Sequence, residues 1–211
     1  MLTLFVVAFV VSVALAVLFM PRGVRAHCDT MDGPTAKDGK KALETKNLNY
    51  AAKWISEEVE AELAEIFALA LKVRILGDDA QKLADRYFLE NLVRLHRAGE
   101  GEPFTGLKPE GVPIDAKVAA ADKCIALGNI SPLEGMVTPD ELGELRELLS
   151  KALRLKDFDV DDVDAGRAYI AAYVDFFKFA EGEAHHHESA HGHAHGEGHD
   201  HAHGEGHGHA H

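Results

Sequence analysis

Two groups of residues have the types and spacing for metal chemistry. The first is His27-Cys28-Asp29, followed by Thr30-Met31-Asp32-Gly33-Pro34. If the chain is cut after Ala26, His27 becomes the first residue. A free α-amine, an imidazole, a backbone amide and a thiol then lie within two residues. The amine titrates near pH 8, so it can bind a metal at neutral pH. A strongly binding metal can deprotonate the Cys28 amide nitrogen, and the Cys28 sulfur closes a second chelate ring. Amine, amide and thiolate then share a plane, with the His27 imidazole in reach of an axial position. That set suits tetragonal Cu(II) or Ni(II) better than tetrahedral zinc. A redox-active ion at such a site would have superoxide as its natural substrate, with His27 and Cys28 as the catalytic pair.

The second group is the tail. Every histidine except His27 and His96 falls there: His185, His186, His187, His191, His193, His195, His199, His201, His203, His207, His209 and His211. Alternating His-x-His strings bind Ni(II), Cu(II) and Zn(II) through neutral imidazoles and release them as pH falls through the imidazole pKa. The irregular interleaving with Gly, Ala, Glu and Asp reads as a natural metal buffer rather than a purification tag. Gly and His without apolar residues build no core, so 183–211 is expected to be disordered until it binds.

What precedes His27 decides whether its amine is free. Leu2–Met20 is nearly all apolar, and Val24-x-Ala26 fits the small-residue rule for signal cleavage. Residues 1–26 are therefore expected to be a signal peptide cut after Ala26, which places the protein outside the cytoplasm, periplasmic or secreted. An uncleaved membrane anchor is the alternative, because the apolar run is long enough to span a bilayer. The formal net charge is −13, and the leader holds two arginines and no acid, so the cut chain is near −15. Such a surface excludes nucleic acid as a partner and suits anionic lipid poorly. The two cysteines, Cys28 and Cys124, allow a disulfide, which would remove Cys28 as a thiolate ligand.

The start His27-Cys28-Asp29, with Gly33 in register, resembles the hook of mature nickel superoxide dismutase, which begins His-Cys-Asp-x-Pro-Cys-Gly-x-Tyr-Asp-Pro. The resemblance implies a four-helix bundle, assembly as a homo-hexamer, and metal held by the His27 amine and imidazole and by the Cys28 amide and thiolate. The family's second cysteine falls on Asp32, its proline on Met31 and its tyrosine on Thr35. Carried over, Asp32 offers a carboxylate where the family has a thiolate. An N,N,S,O plane with an axial imidazole shifts the expectation toward copper, with nickel second. The chain also resembles uncharacterised bacterial secreted proteins that share the His-Cys-Asp start and a segment like Leu92–Gly101.

The elements behind the hook (27–34) read as an all-α, up-and-down, four-helix-type bundle over 35–182. Thr35–Thr45 is a short helix opened by Gly33-Pro34. Asn49 is a candidate N-cap for a long helical stretch, Tyr50–Leu76, with a kink near Ser56. Its stripe is Val59, Leu63, Ile66, Phe67, Ala70 and Val73. Gly77 ends it, and the next helix runs from Asp78 to Ala98 with Leu83, Tyr87, Phe88, Asn91, Leu92 and Leu95 inward. Glu90 and Arg94 form an i,i+4 pair. Glu100–Pro113 has no period and reads as a surface loop. Ile114–Leu127 is followed by Thr138-Pro139-Asp140-Glu141, a capping box that opens a helix to about Leu155. The last helix, Val163–Ala180, carries Tyr169, Ile170, Tyr173, Val174 and Phe177 on one face. His96 reads as a hydrogen-bonded structural histidine, Cys124 as a small buried hydrophobe, and Tyr169 and Tyr173 as packing.

Overall fold

The computed structural model describes residues 27–182, so the leader (1–26) and the histidine-rich tail (183–211) lie outside the described residues. The described chain is an all-α helical bundle. Its helices are α1 (Pro34–Thr45), α2 (Asn49–Ala52), α3 (Glu60–Val73), α4 (Asp78–Gly99), α5 (Ala116–Leu127), α6 (Pro139–Leu155) and α7 (Val163–Glu181). The only β-pairing among the described residues is one bridge, Thr30 with Lys108.

Local chemistry sets the helix ends. Pro34 occupies the first position of α1, where its missing N–H is not needed. The capping box of α6 is complete: Thr138 Oγ1 accepts from the Glu141 N–H, and Glu141 Oε2 accepts from the Thr138 N–H. Gly77 separates α3 from α4 at φ 137°, ψ 172°, a conformation open essentially to glycine alone. α3 and α4 form one hairpin through this short turn, and α6 and α7 form the second. α1 lies on α4, and α5 lies on α7. Phe88, Phe176, Leu43, Leu63, Leu92 and Leu145 fill the space between them.

The stretch expected as helical over Tyr50–Leu76 with a kink near Ser56 is broken at that place. α2 stops at Ala52, Ser56 is extended, and a turn of 3-10 helix leads into α3. The break drops Trp54 and Ile55 into the core. It also frees their carbonyls, which two distant side chains take up: His96 Nδ1 lies 2.9 Å from Trp54 O, and Arg167 Nε donates to Ile55 O at 3.1 Å. The capping side chain before α2 is Asn47, whose Oδ1 accepts from the Asn49 N–H, not Asn49 itself.

On α4, Phe88, Leu92 and Leu95 face inward as expected, joined by Ala84, Leu89 and Val93, and Asn91 is only partly buried. Leu83 and Tyr87 instead point outward, at 69 % and 46 % exposure, and Leu69, Ile75 and Leu76 are also exposed. Arg94 pairs with Glu62 on α3 and Glu90 with Arg86, so the expected Glu90–Arg94 pair does not form.

Gly39 in α1 tests how tightly α1 and α4 pack. Alanine inside a helix is worth about 1 kcal/mol over glycine. A Cβ here, however, would stand 2.6 Å from Leu89 Cδ2 and 2.8 Å from Leu92 Cδ2, both fully buried. Overpacking costs about 1–3 kcal/mol and wins. Gly39→Ala is expected to lower the urea midpoint; an unchanged or raised midpoint would mean that the α1–α4 seam is loose.

Candidate metal centre at the N-terminal turn

His27–Asp29 forms one turn of 3-10 helix packed on α1. Main-chain pairing holds the next residues. The Lys108 N–H donates to Asp29 O at 2.8 Å, and the Met31 N–H donates to Lys108 O at 2.9 Å. Asp32 Oδ2 accepts from the Gly111 N–H at 3.1 Å. The segment expected as a plain surface loop thus doubles back and staples the hook.

The Asp29 side chain turns inward and is only 2 % exposed. Its Oδ1 lies 3.6 Å from Arg97 Nε, and its Oδ2 lies 3.9 Å from Lys108 Nζ. Arg97, itself buried, donates to Glu100 Oε2 at 2.7 Å and to Glu102 Oε2 at 3.4 Å. Lys178 Nζ comes within 3.6 Å of Glu100 Oε1. Three cations and three carboxylates therefore nearly balance in one partly buried cluster. Burial pushes the Asp29 carboxyl above the usual carboxylate range, and Arg97 and Lys108 pull it back.

His96 sits beside Arg97 on α4 at 3 % exposure. A carbonyl can only accept, so the contact with Trp54 O places the proton on Nδ1 and leaves Nε2 with its lone pair. Nε2 faces Glu100 Oε2 at 3.6 Å, beyond a hydrogen bond. Burial pushes the His96 pKa down, against the pull of Glu100.

Cys28 is half-buried against the core, and its thiol is pushed up to about 12, first by burial and then by the Glu100 carboxylate. The Thr35 hydroxyl beside the sulfur works in the opposite direction. Both Cys28 and Cys124 are free, so no disulfide joins them. Cys124 is fully buried, as a small core hydrophobe. Asp29 Oδ1, Thr35 Oγ1, His96 Nε2 and Arg97 Nε are buried without a well-formed hydrogen bond among the described residues. All four belong to residues of this one cluster. Unsatisfied buried polar atoms are rare enough that their grouping marks a site.

Among the described residues, no group of three or more His, Cys, Asp or Glu side chains could hold a metal ion. Main-chain donors, the amine of a cleaved His27 and the Cys28 amide, stand outside that set of side chains. Asp32 is engaged with Gly111 and with the Thr30 side chain, which hold its carboxyl below the usual range. The His27 side chain and the tail histidines lie outside what the structure describes.

Fold and site together define a helical-bundle protein with a thiol-bearing N-terminal turn sealed onto a buried charge cluster. The chain belongs to DUF6448, a family of unknown function, whose model matches residues 32–179. The match takes in Asp32, Thr35, His96, Arg97 and Glu100. Comparison with curated proteins and with solved structures finds no match.

The buried, neutral His96 makes stability depend on pH with a definite sign. Below the ordinary histidine pKa, near 6.5, the unfolded chain binds a proton that native His96 resists. Stability is therefore constant above about pH 6.5 and falls as pH drops below it, by at most about 1.4 kcal/mol per unit from this group. Denaturant unfolding of His96→Gln is expected to lose less stability between about pH 6.5 and 5 than the parent chain; parallel curves would show that His96 is not buried neutral.

Proposed function

We propose that this is an extracytoplasmic metalloprotein that binds copper, or else nickel, at its mature N-terminus through His27 and Cys28. The observation that carries the reading is the seat of the N-terminal turn. Asp29 is held by the Arg97 and Lys108 side chains and by the Lys108 main chain, which turns the Cys28 sulfur into the body beside Thr35. Order in that turn removes much of the entropy cost of chelation by main-chain donors. With its thiol near 12, Cys28 is protonated at neutral pH, so a metal must displace that proton. This favours the most strongly binding divalent ion, copper.

Bound copper or nickel would supply one-electron chemistry, and we infer superoxide as the substrate. Two superoxide ions and two protons give one dioxygen and one hydrogen peroxide. The His27-Cys28-Asp29 start supports this, and Thr35, in the place of the hook family's tyrosine, keeps a hydroxyl beside the sulfur. The exposed apolar residues of the α3–α4 hairpin support self-assembly. A second reading, favoured by the histidine repeats, is a metal-sequestering carrier that works through its tail.

The two readings separate on a chain spanning His27–Gly182, loaded with copper and assayed for superoxide consumption. One extra residue before His27 removes its free amine and leaves the fold. Activity is expected in the first protein and to fall at least about tenfold in the second. Equal activity in both would overturn the amine-bound site, and none in either while the full chain still binds metal would leave the tail-based carrier.

A further inference from the structure

A cavity of about 350 Å³ opens between α1, the Trp54 turn and the start of α7. It is separate from the metal reading and has a different character from the rest of the surface. Phe158, Tyr169 and Tyr173 make one wall, with ring centroids 5.7 and 6.0 Å apart in sequence. Trp54 adds a second wall, 5.9 Å from Tyr173. Three lysines, Lys41, Lys53 and Lys156, line the opening against a single carboxylate, Asp38. In a chain of net charge −13, this is a local reversal of sign.

The walls are preformed. Asp38 Oδ2 accepts from Trp54 Nε1 at 2.8 Å and pairs with Lys53 Nζ at 2.9 Å. The Lys53 side chain is only 10 % exposed, and its ammonium stands 5.2 Å from the centre of the Phe158 ring. Gly166 locks this corner, since a Cβ there would meet Lys53 Cβ at 2.9 Å and Phe158 Cε2 at 3.1 Å. Asp38 is thus fully committed to the wall. Lys156 donates one hydrogen to Ile125 O and keeps two. Lys41 lies over the Tyr50 ring, 4.2 Å from its centre, with no ion pair among the described residues.

We propose that this pocket binds a small planar aromatic carboxylate. The aromatic walls take the ring, and Lys41 and Lys156 take the single negative charge. Among the described residues no arginine lines the cavity, so they offer no forked donor set of the kind that favours a phosphate. The volume lies in the range of small-ligand sites. Trp54 also meets His96 edge-on at 5.3 Å, so an occupant would lie one side chain from the cluster under the hook.

Trp54 is the only tryptophan, so its indole N–H gives one resonance in the ¹⁵N-labelled full chain. Benzoate is the probe, and benzamide, equal in shape but neutral, is its control. Benzoate is expected to move that resonance saturably with a Kd of about 1 mM or tighter, and benzamide to bind about tenfold more weakly. The double variant Lys41→Met, Lys156→Met changes two exposed side chains and should weaken benzoate about tenfold while leaving benzamide unchanged. Phe158→Ala should weaken both ligands. No saturable shift, equal affinity for benzamide, or unaltered benzoate binding in the double variant would each overturn the proposal.

Discussion

The buried pairing of Asp29 with Arg97 is the constraint on which the arrangement around the N-terminal turn depends. Taking both charges out of water offsets most of their attraction, so the pair contributes little net stability. Removing one partner is another matter, because an unpaired buried charge costs about 3–5 kcal/mol. The pair therefore works as a registration device. It fixes where Asp29 lies, and with it the direction of the Cys28 side chain. Glu100, Glu102, Lys108 and Lys178 complete the charge balance, so the formal charges of the cluster cancel although the chain is strongly acidic.

The broken helix between Ala52 and Glu60 ties this cluster to the bundle. Its two freed carbonyls must be satisfied in the interior, and His96 and Arg167 satisfy them. His96 is the residue before Arg97, so one turn of α4 serves both the break and the hook. Trp54, released by the same break, lies between His96 and the lysine-lined pocket. Hook seat and helix break are thus joined through the adjacent His96 and Arg97, and helix break and pocket through Lys53 and Trp54.

Helix ends are the most legible feature of the sequence, because caps act within four residues. The Thr138–Glu141 box, Pro34 and Gly128 all sit where local chemistry puts them. The all-α class follows from apolar periodicity. The break at Trp54 is less legible, since its cause is tertiary: distant side chains take the carbonyls, and a large ring gains burial. On α4, Phe88, Leu92 and Leu95 are legible as core, whereas Leu83 and Tyr87 are not legible as exposed, since an apolar pattern does not tell which edge of the stripe a neighbouring helix covers; here it covers the small Ala84. Of the site, His27 and Cys28 stand out by placement. Arg97, Lys108 and Thr35 do not, since a charge or hydroxyl in one helix or loop gives no sign of burial. The only available signal was the segment Leu92–Gly101, which holds His96, Arg97 and Glu100 but carries no role on its face.

The central claim is that the Cys28 sulfur, seated by the turn, is a metal ligand. The most direct measurement is a Cu(II) titration of the chain from His27 to Gly182, followed by the thiolate-to-copper charge-transfer absorption. The account predicts a band that saturates at one equivalent, disappears in Cys28→Ser and weakens when Arg97→Met loosens the seat. No band, or the same absorption in Cys28→Ser, would contradict it.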